Sequence, residues 1–224
     1  AGGFLVFNMY YGDVMSYIVL MSYNGTMHKM FPTFIVHDKM HVDALKPRDA
    51  RTLLMAGNIN MTEEGAVYAW DWMADNFTRV SGGNYGVNSH DVQWSSEVDV
   101  PSFWAPVHSG MQRIHALTGD IMEDVTVSGA ASDVNHAQLI EGNTVAIFSS
   151  RLTDALIKYD LEKNEVDWIC GGEYGQFTLY DIKGVEHAAG STLWAGQHNA
   201  EYFGDGLYFM FDNMYEQERP SRAL

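Results

Sequence analysis

The chain has 224 residues, 46% of them hydrophobic and 13% aromatic, which is ample for a packed core and excludes intrinsic disorder. Twenty-nine Asp and Glu against 13 Lys and Arg leave a formal charge of -16, which disfavours nucleic acid or an anionic membrane as a partner. No apolar run approaches the roughly 18 residues of a membrane-spanning helix, so a soluble chain is expected.

From the first residues onward, β-branched and aromatic runs dominate: Phe4 to Tyr10, Tyr17 to Met21, Arg51 to Ala56, Val67 to Trp70, Val145 to Phe148, Ala155 to Tyr159 and Leu207 to Phe211. Helical heptads are nearly absent, and an all-β fold follows. One hairpin pattern recurs four times, as IVLMSYNGTMHKM from Ile18, VYAWDWMADNFTRV from Val67, RIHALTGDIMEDV from Arg113 and LIKYDLEKNEVDWI from Leu156. Each is an apolar strand, a polar turn and a second strand, with Asn24-Gly25 and Thr118-Gly119 supplying residues that tolerate positive φ.

A second element carries a histidine near its start: MHVDALKP around His41, SHDVQW around His90, NHAQLIEGNTVAIFSS around His136 and QHNAEYFGDGLYFMFDN around His198. These histidines lie 49, 46 and 62 residues apart, close to the length of a four-stranded propeller blade. The expected architecture is a single β-propeller domain over residues 1–224, built from four-stranded antiparallel blades, with chain for about five of them at roughly 45 residues each. The last blade reads as unfinished. The first residue is Ala1 with no leader sequence before it, so a chain trimmed at both ends is expected. Inner strands line the channel of a propeller, so the four histidines either converge there or cap strands between blades. Converging histidines can also ligate a divalent ion, a third reading, although no metal or other cofactor is expected.

The remaining candidates read as structural. Cys170 has no partner for a disulfide and suits a small buried site. The carboxylates of Glu63-Glu64 and of Asp120 to Asp124 read as solvated loops rather than a glycosidase pair. GGNYG from Gly82 and GGEYGQ from Gly171 lack the strand-to-helix setting of a phosphate loop. Sequons at Asn24, Asn60 and Asn76 suit a secreted glycoprotein.

The segment SSRLTDALIKYDLEKNEVDWICGG from Ser149 resembles a signature of the arylsulfotransferase propellers, and QHNAEYFGDGLYFMFDN from Gln197, followed by Ser221-Arg222, resembles the next. SHDVQW from Ser89 and GFLVFNMYYG from Gly3 are similar to earlier family strands. The resemblance implies a six-bladed, extracytoplasmic or secreted propeller that moves a sulfuryl group from a phenolic sulfate ester to a phenol through a transiently sulfated histidine. By motif, the nucleophile is His198, the anion-binding arginine is Arg151, and the supporting channel histidine is His90. Where the family carries His-x-Asn, this chain reads Asp133-Val134-Asn135, with a histidine displaced to His136. An aspartate there would repel sulfate, and His136 can substitute only if the strand bulges or starts one residue differently. Arg151 is expected either to bind sulfuryl oxygens or to pair with Asp154 or Asp133. His136 and Asn135 are further substrate-binding candidates. Trp94 and Trp194, with Trp104 and Tyr202, could stack on a phenol ring or pack blades together. The acidic residues are expected on outer strands and loops, leaving Arg151 and the histidines inside. The alternative is an inactive propeller that serves as a binding, matrix or assembly subunit, with a protein partner completing the ring.

Overall fold

A computed structural model describes residues 3–11, 15–33, 40–59, 65–80, 87–95, 100–127, 129–214 and 220–224. They form six antiparallel sheets, of which five are meanders of three or four consecutive strands and one is a two-stranded hairpin. The first sheet is β1 (Phe4–Tyr11), β2 (Met15–Ser22) and β3 (Met27–Pro32). The second is β4 (Met40–Pro47), β5 (Thr52–Ile59), β6 (Gly65–Asp71) and β7 (Asn76–Arg79). The third is β8 (Gln93–Trp94), β9 (Ser102–Val107), β10 (Gly110–His115) and β11 (Ile121–Thr126). The fourth is β12 (Val134–Ile140), β13 (Val145–Ser150), β14 (Ala155–Asp160) and β15 (Glu165–Cys170). A small hairpin, β16 (Leu179–Tyr180) with β17 (Glu186–His187), precedes the fifth sheet of β18 (His198–Gly204), β19 (Leu207–Asp212) and β20 (Arg222–Ala223). The five meanders are the blades of a five-bladed β-propeller, as the recurring hairpins predict. The first and fifth blades have three strands, so the four-stranded plan holds for the middle three.

The apolar runs are continuous, not alternating, because the middle strands of a blade are covered on both faces by neighbouring blades. Every residue of β13 is buried, as are the first six of β6, whereas β7 and β11 at the blade edges are largely exposed. Four apolar clusters fill the four interfaces between successive blades. Ile18, Val42, Met55 and Trp70 join the first to the second; Leu54, Val67, Phe103 and Ile114 join the second to the third. Met111, Val134, Phe148 and Ile157 join the third to the fourth, and Leu156, Trp194, Ala200 and Met210 join the fourth to the fifth.

All seven strand segments read from sequence are strands, and all four recurring hairpins pair as expected. β9 escaped notice because Pro106 interrupts its pattern; its carbonyl accepts the Asn88 amide at 2.7 Å. The carboxylates of Asp120 to Asp124, read as a solvated loop, lie from Ile121 onward on β11, the second strand of the hairpin from Arg113 and an edge strand exposed except at Val125. The long interval before His198 is explained by the β16–β17 hairpin inserted between blades. The Gly171-Gly172 segment is a tight turn, as read, in which a Cβ on Gly172 (φ 68°) would lie 2.0 Å from the Thr153 carbonyl oxygen. Asn24 and Asn76 are exposed, whereas Asn60, Glu63-Glu64 and the GGNYG segment lie outside the described residues.

Because blade interfaces are close-packed, Phe148→Ala, at 0% exposure, is expected to cost about 3–5 kcal/mol in urea unfolding. Ile182→Ala, on the fully exposed tip of the inserted hairpin, is expected to change stability by less than about 0.5 kcal/mol.

Candidate functional site

The inner strands β4, β8, β12 and β18 face one another around the axis and are clasped by side chains. The Gln93 carboxamide accepts from the Leu139 amide (3.1 Å) and donates to the Ala137 carbonyl; the Gln138 carboxamide does the same for Tyr202, at 2.6 and 3.2 Å. Asn135 donates Nδ2 to the Gln197 carbonyl at 2.8 Å. Gln197, fully buried, donates Nε2 to the carbonyls of Ser150 (3.0 Å) and Ala155 (3.1 Å). His198 follows directly and is therefore set by the fourth blade as well as its own.

Beside His198 the structure brings together the other residues that the sequence nominated for catalysis. The His90 and His198 rings lie 5.4 Å apart between centroids, tilted by 48°. Arg151, in the turn after β13, lies close enough to depress the imidazole's proton affinity. Burial, then the positive charge of His90 and Arg151, lowers the His198 pKa to about 4 against the opposing effect of Asp133. His198 is thus a neutral imidazole at neutral pH.

Asp133 is the residue that organises this cluster. It adopts φ 55° and takes the Arg151 side chain, with Nε at 2.6 Å from Oδ2 and a second contact from Nη2. Of the two expected fates of Arg151, pairing with Asp133 is the one observed. The other oxygen of Asp133 accepts Nδ2 of Asn88 at 3.0 Å. The carbonyl end of Asn88 accepts the His90 backbone N–H at 3.1 Å and meets His90 Nδ1. A backbone N–H can only donate, so the amide orientation is fixed, the His90 proton sits on Nδ1, and Nε2 is left for a reactant. The chain of contacts runs from Arg151 through Asp133 and Asn88 to His90.

Along the same strands lies a charged network that sequence reasoning missed. Lys46 on β4 is 3.5 Å from Asp91 and 3.3 Å from Glu201 on β18. His136 on β12 completes the circuit, with Nδ1 at 3.0 Å from Asp91 and Nε2 at 3.5 Å from Glu201, as ion-pair contacts outside hydrogen-bond alignment. Burial raises the Asp91 pKa, but His136, Lys46 and the Ala137 amide (3.0 Å) outweigh it and hold the carboxyl at about 2. Burial likewise opposes the charge on Lys46, and the two carboxylates overcome it, raising its pKa. The expectation that acidic residues stay on outer strands and loops is therefore corrected: Asp91, Asp133 and Glu201 are central. The signal available was a lone charge within an apolar inner strand, as in Ala44-Leu45-Lys46 or Ala200-Glu201-Tyr202.

His136 reaches this network through a bulge: Val134 pairs with Ser150 and His136 with Ser149, leaving Asn135 as the extra residue. The remaining nominated residues are placed elsewhere. Trp94 packs in the cluster between the second and third blades, with the Arg48 guanidinium 4.4 Å over its ring. Trp194 is buried and donates Nε1 to the Asp154 carbonyl at 2.8 Å, while Trp104 packs between the third and fourth blades. Tyr202 packs on Tyr208, with ring centroids 5.0 Å apart. His41 is buried and stacks with Tyr10, centroids 5.6 Å apart. Among the described residues no three His, Cys, Asp or Glu side chains are grouped to hold a metal ion. No helix of the described residues is long and apolar enough to cross a membrane.

Among solved structures, the CNH domain of AfRom2 is similar over 100% of this chain and 62% of its own, with a TM-score of 0.56 and 7% identity. An auxiliary nutrient binding protein from Bacteroides thetaiotaomicron VPI-5482 is similar over 88% of this chain and 49% of its own, with a TM-score of 0.53 and 11% identity. These likenesses concern the fold, and the chain spans less than two thirds of either structure. No curated protein sequence matches. The family model for arylsulfotransferase (ASST) matches residues 106–224, more than half of the chain. That stretch contains Asp133, Arg151 and His198, together with the Asp212 carboxylate that binds the Ala195 amide (2.9 Å) and Arg222 (3.0 Å) and so gives the Phe-Asp-Asn and Ser-Arg motifs a common structural purpose. The motifs around the clustered residues and the model that spans them agree, and the chain belongs to the arylsulfotransferase family.

Proposed function

We propose that this chain transfers a sulfuryl group from an aryl sulfate ester to a phenol, with His198 as the nucleophile. The observation that carries the reading is a partly buried, neutral imidazole flanked by a second imidazole and a guanidinium at one end of the inner strands. The lone pair of His198 attacks sulfur, the sulfur–oxygen ester bond breaks, and the aryl oxygen leaves with the bonding pair. In the reactive form His90 carries a second proton, on Nε2; it gives that proton to the leaving oxygen, while its Nδ1–H stays on Asn88 throughout. In the second half-reaction His90 recovers a proton from the acceptor phenol, whose oxygen attacks sulfur and expels the free His198 imidazole. Arg151, a planar fork of permanent charge, meets the sulfuryl oxygens as charge spreads over them; preorganised donors of this type contribute about 3–4 kcal/mol.

Arg151 must exchange part of its contact with Asp133 for the substrate, and this pairing favours the second reading, a propeller that binds a ligand or protein without turnover. An extracytoplasmic setting belongs to the same proposal and draws on the exposed sequons at Asn24 and Asn76.

Three outcomes separate the readings. With a chromogenic aryl sulfate, His198→Ala is expected to abolish both transfer and sulfation of the protein, while Arg151→Gln lowers kcat/KM by about 10²–10³-fold. Detectable sulfation of His198→Ala would remove that residue from the mechanism. The acid limb of kcat/KM is expected near pH 4, not 6.5: the reactive form is the unprotonated imidazole, and activity is lost only as pH falls through its lowered value. Asp133→Asn releases Arg151, so KM for the sulfate ester is expected to fall; unmeasurable transfer in both this variant and the parent chain would establish the non-catalytic reading.

A further inference from the structure

On the side of the propeller between the second and third blades lies a cleft of about 300 Å³ that takes no part in the chemistry above. Its floor is apolar, from Ala69, Val80, Pro101 and Ala116, and Leu117 stands exposed at the rim. Two guanidinium groups line it, Arg48 and Arg79, in a chain with only 13 basic residues. Arg48 lies over the Trp94 ring at 4.4 Å, and its nearest carboxylate, Asp49, is 3.7 Å away and already caps the turn by accepting the amides of Arg51 and Thr52, both at 2.8 Å. Arg79 has no ion-pair partner among the described residues. The one carboxylate of the lining, Asp71, is taken by Arg51 at 2.7 Å and by the amides of Met73 and Ala74. Thr52, Thr78 and Asn76 add neutral polar groups.

An apolar floor beneath Arg79, and beneath Arg48 with its one carboxylate contact at 3.7 Å, is complementary to a flat apolar body with one anionic group and disfavours a cation. We infer that this cleft is a second binding site, for a single-ring aromatic anion such as an aryl sulfonate, carboxylate or sulfate. The ring lies on the floor against Leu117, and the anionic group bridges Arg48 and Arg79, with the Arg48 plane steadied by Trp94. The volume admits one ring with its substituent. Such a site, lined by none of the residues around His198, would hold a donor, product or effector between the second and third blades.

Benzenesulfonate is the suitable probe, because its sulfur is bonded to carbon and offers no ester to cleave, so binding is read independently of the transfer proposal. In calorimetric titration, an Arg151→Gln background weakens the site beside His198 and leaves the cleft intact. That variant is expected to bind benzenesulfonate saturably, and adding Arg79→Gln or Arg48→Gln is expected to weaken binding by about tenfold or more, the scale of one lost charge-assisted contact. Benzylammonium is expected not to compete. Thermal unfolding checks that the variants fold, which exposed arginines permit. Absence of saturable binding in Arg151→Gln, equal affinity after removal of Arg79, or competition by benzylammonium would each overturn the assignment.

Discussion

The interaction on which the geometry depends is the circuit of Lys46, Asp91, His136 and Glu201. It draws one group from each of four blades, and its Lys46–Glu201 contact joins residues 155 apart in sequence. Buried ion pairs are poor sources of net stability, since desolvation offsets most of the attraction, yet removing one partner strands the others and costs about 3–5 kcal/mol. Their value is positional. Apolar contacts between blades tolerate sliding, whereas a lysine held between two carboxylates, with an imidazole between the same two, defines the relative height of the inner strands. Asp91 follows His90 directly, and Glu201 lies three residues beyond His198. The pair of imidazoles is therefore spaced by a buried network a few residues away, reinforced by the Gln93 and Gln138 clasps.

Net charge says little about such a place. The chain carries -16 overall, but exposed charges beyond a Debye length of about 8 Å are largely screened. What matters to His198 is that burial, His90 and Arg151 disfavour its cationic form more than Asp133 restores it. The same few residues keep the His198 imidazole unprotonated at pH values where a free imidazole takes up its proton.

The propeller was legible because its unit is written four times over: an apolar strand, a turn with Gly25 or Gly119 at positive φ, and a second strand. Boundaries failed where that grammar lapses, at β9 with its internal Pro106. The histidine cluster was legible in part. His90 and His198 share a motif position and do meet, whereas His41 occupies the same position and stacks with Tyr10, because the burial of a side chain depends on its neighbour in space. The bulge at Asn135 shows the same limit: alternation sets His136 opposite Asn135, and only the unpaired extra residue turns it toward Asp91. Lys46 and Glu201 stand in the sequence only as charges within apolar strands; their meaning arises from a contact between the second and fifth blades.

Asp133 joins these strands of reasoning. In the position where a histidine is expected, an anion would be a defect if sulfate binding were the sole requirement, since it occupies the guanidinium that the substrate needs. The same carboxylate also anchors Asn88, and Asn88 fixes which nitrogen of His90 carries the resting proton. A histidine at 133 could not accept from Arg151 and Asn88 together, because a neutral imidazole has one lone pair to offer and a protonated one has none. The aspartate thus exchanges anion affinity for control of a proton: Arg151 is restrained, and His90 is held with Nδ1 on Asn88. A site arranged in that way discriminates by how well a ligand competes with one carboxylate oxygen for one guanidinium, which favours compact anions whose oxygens can meet both Nε and Nη2 of Arg151.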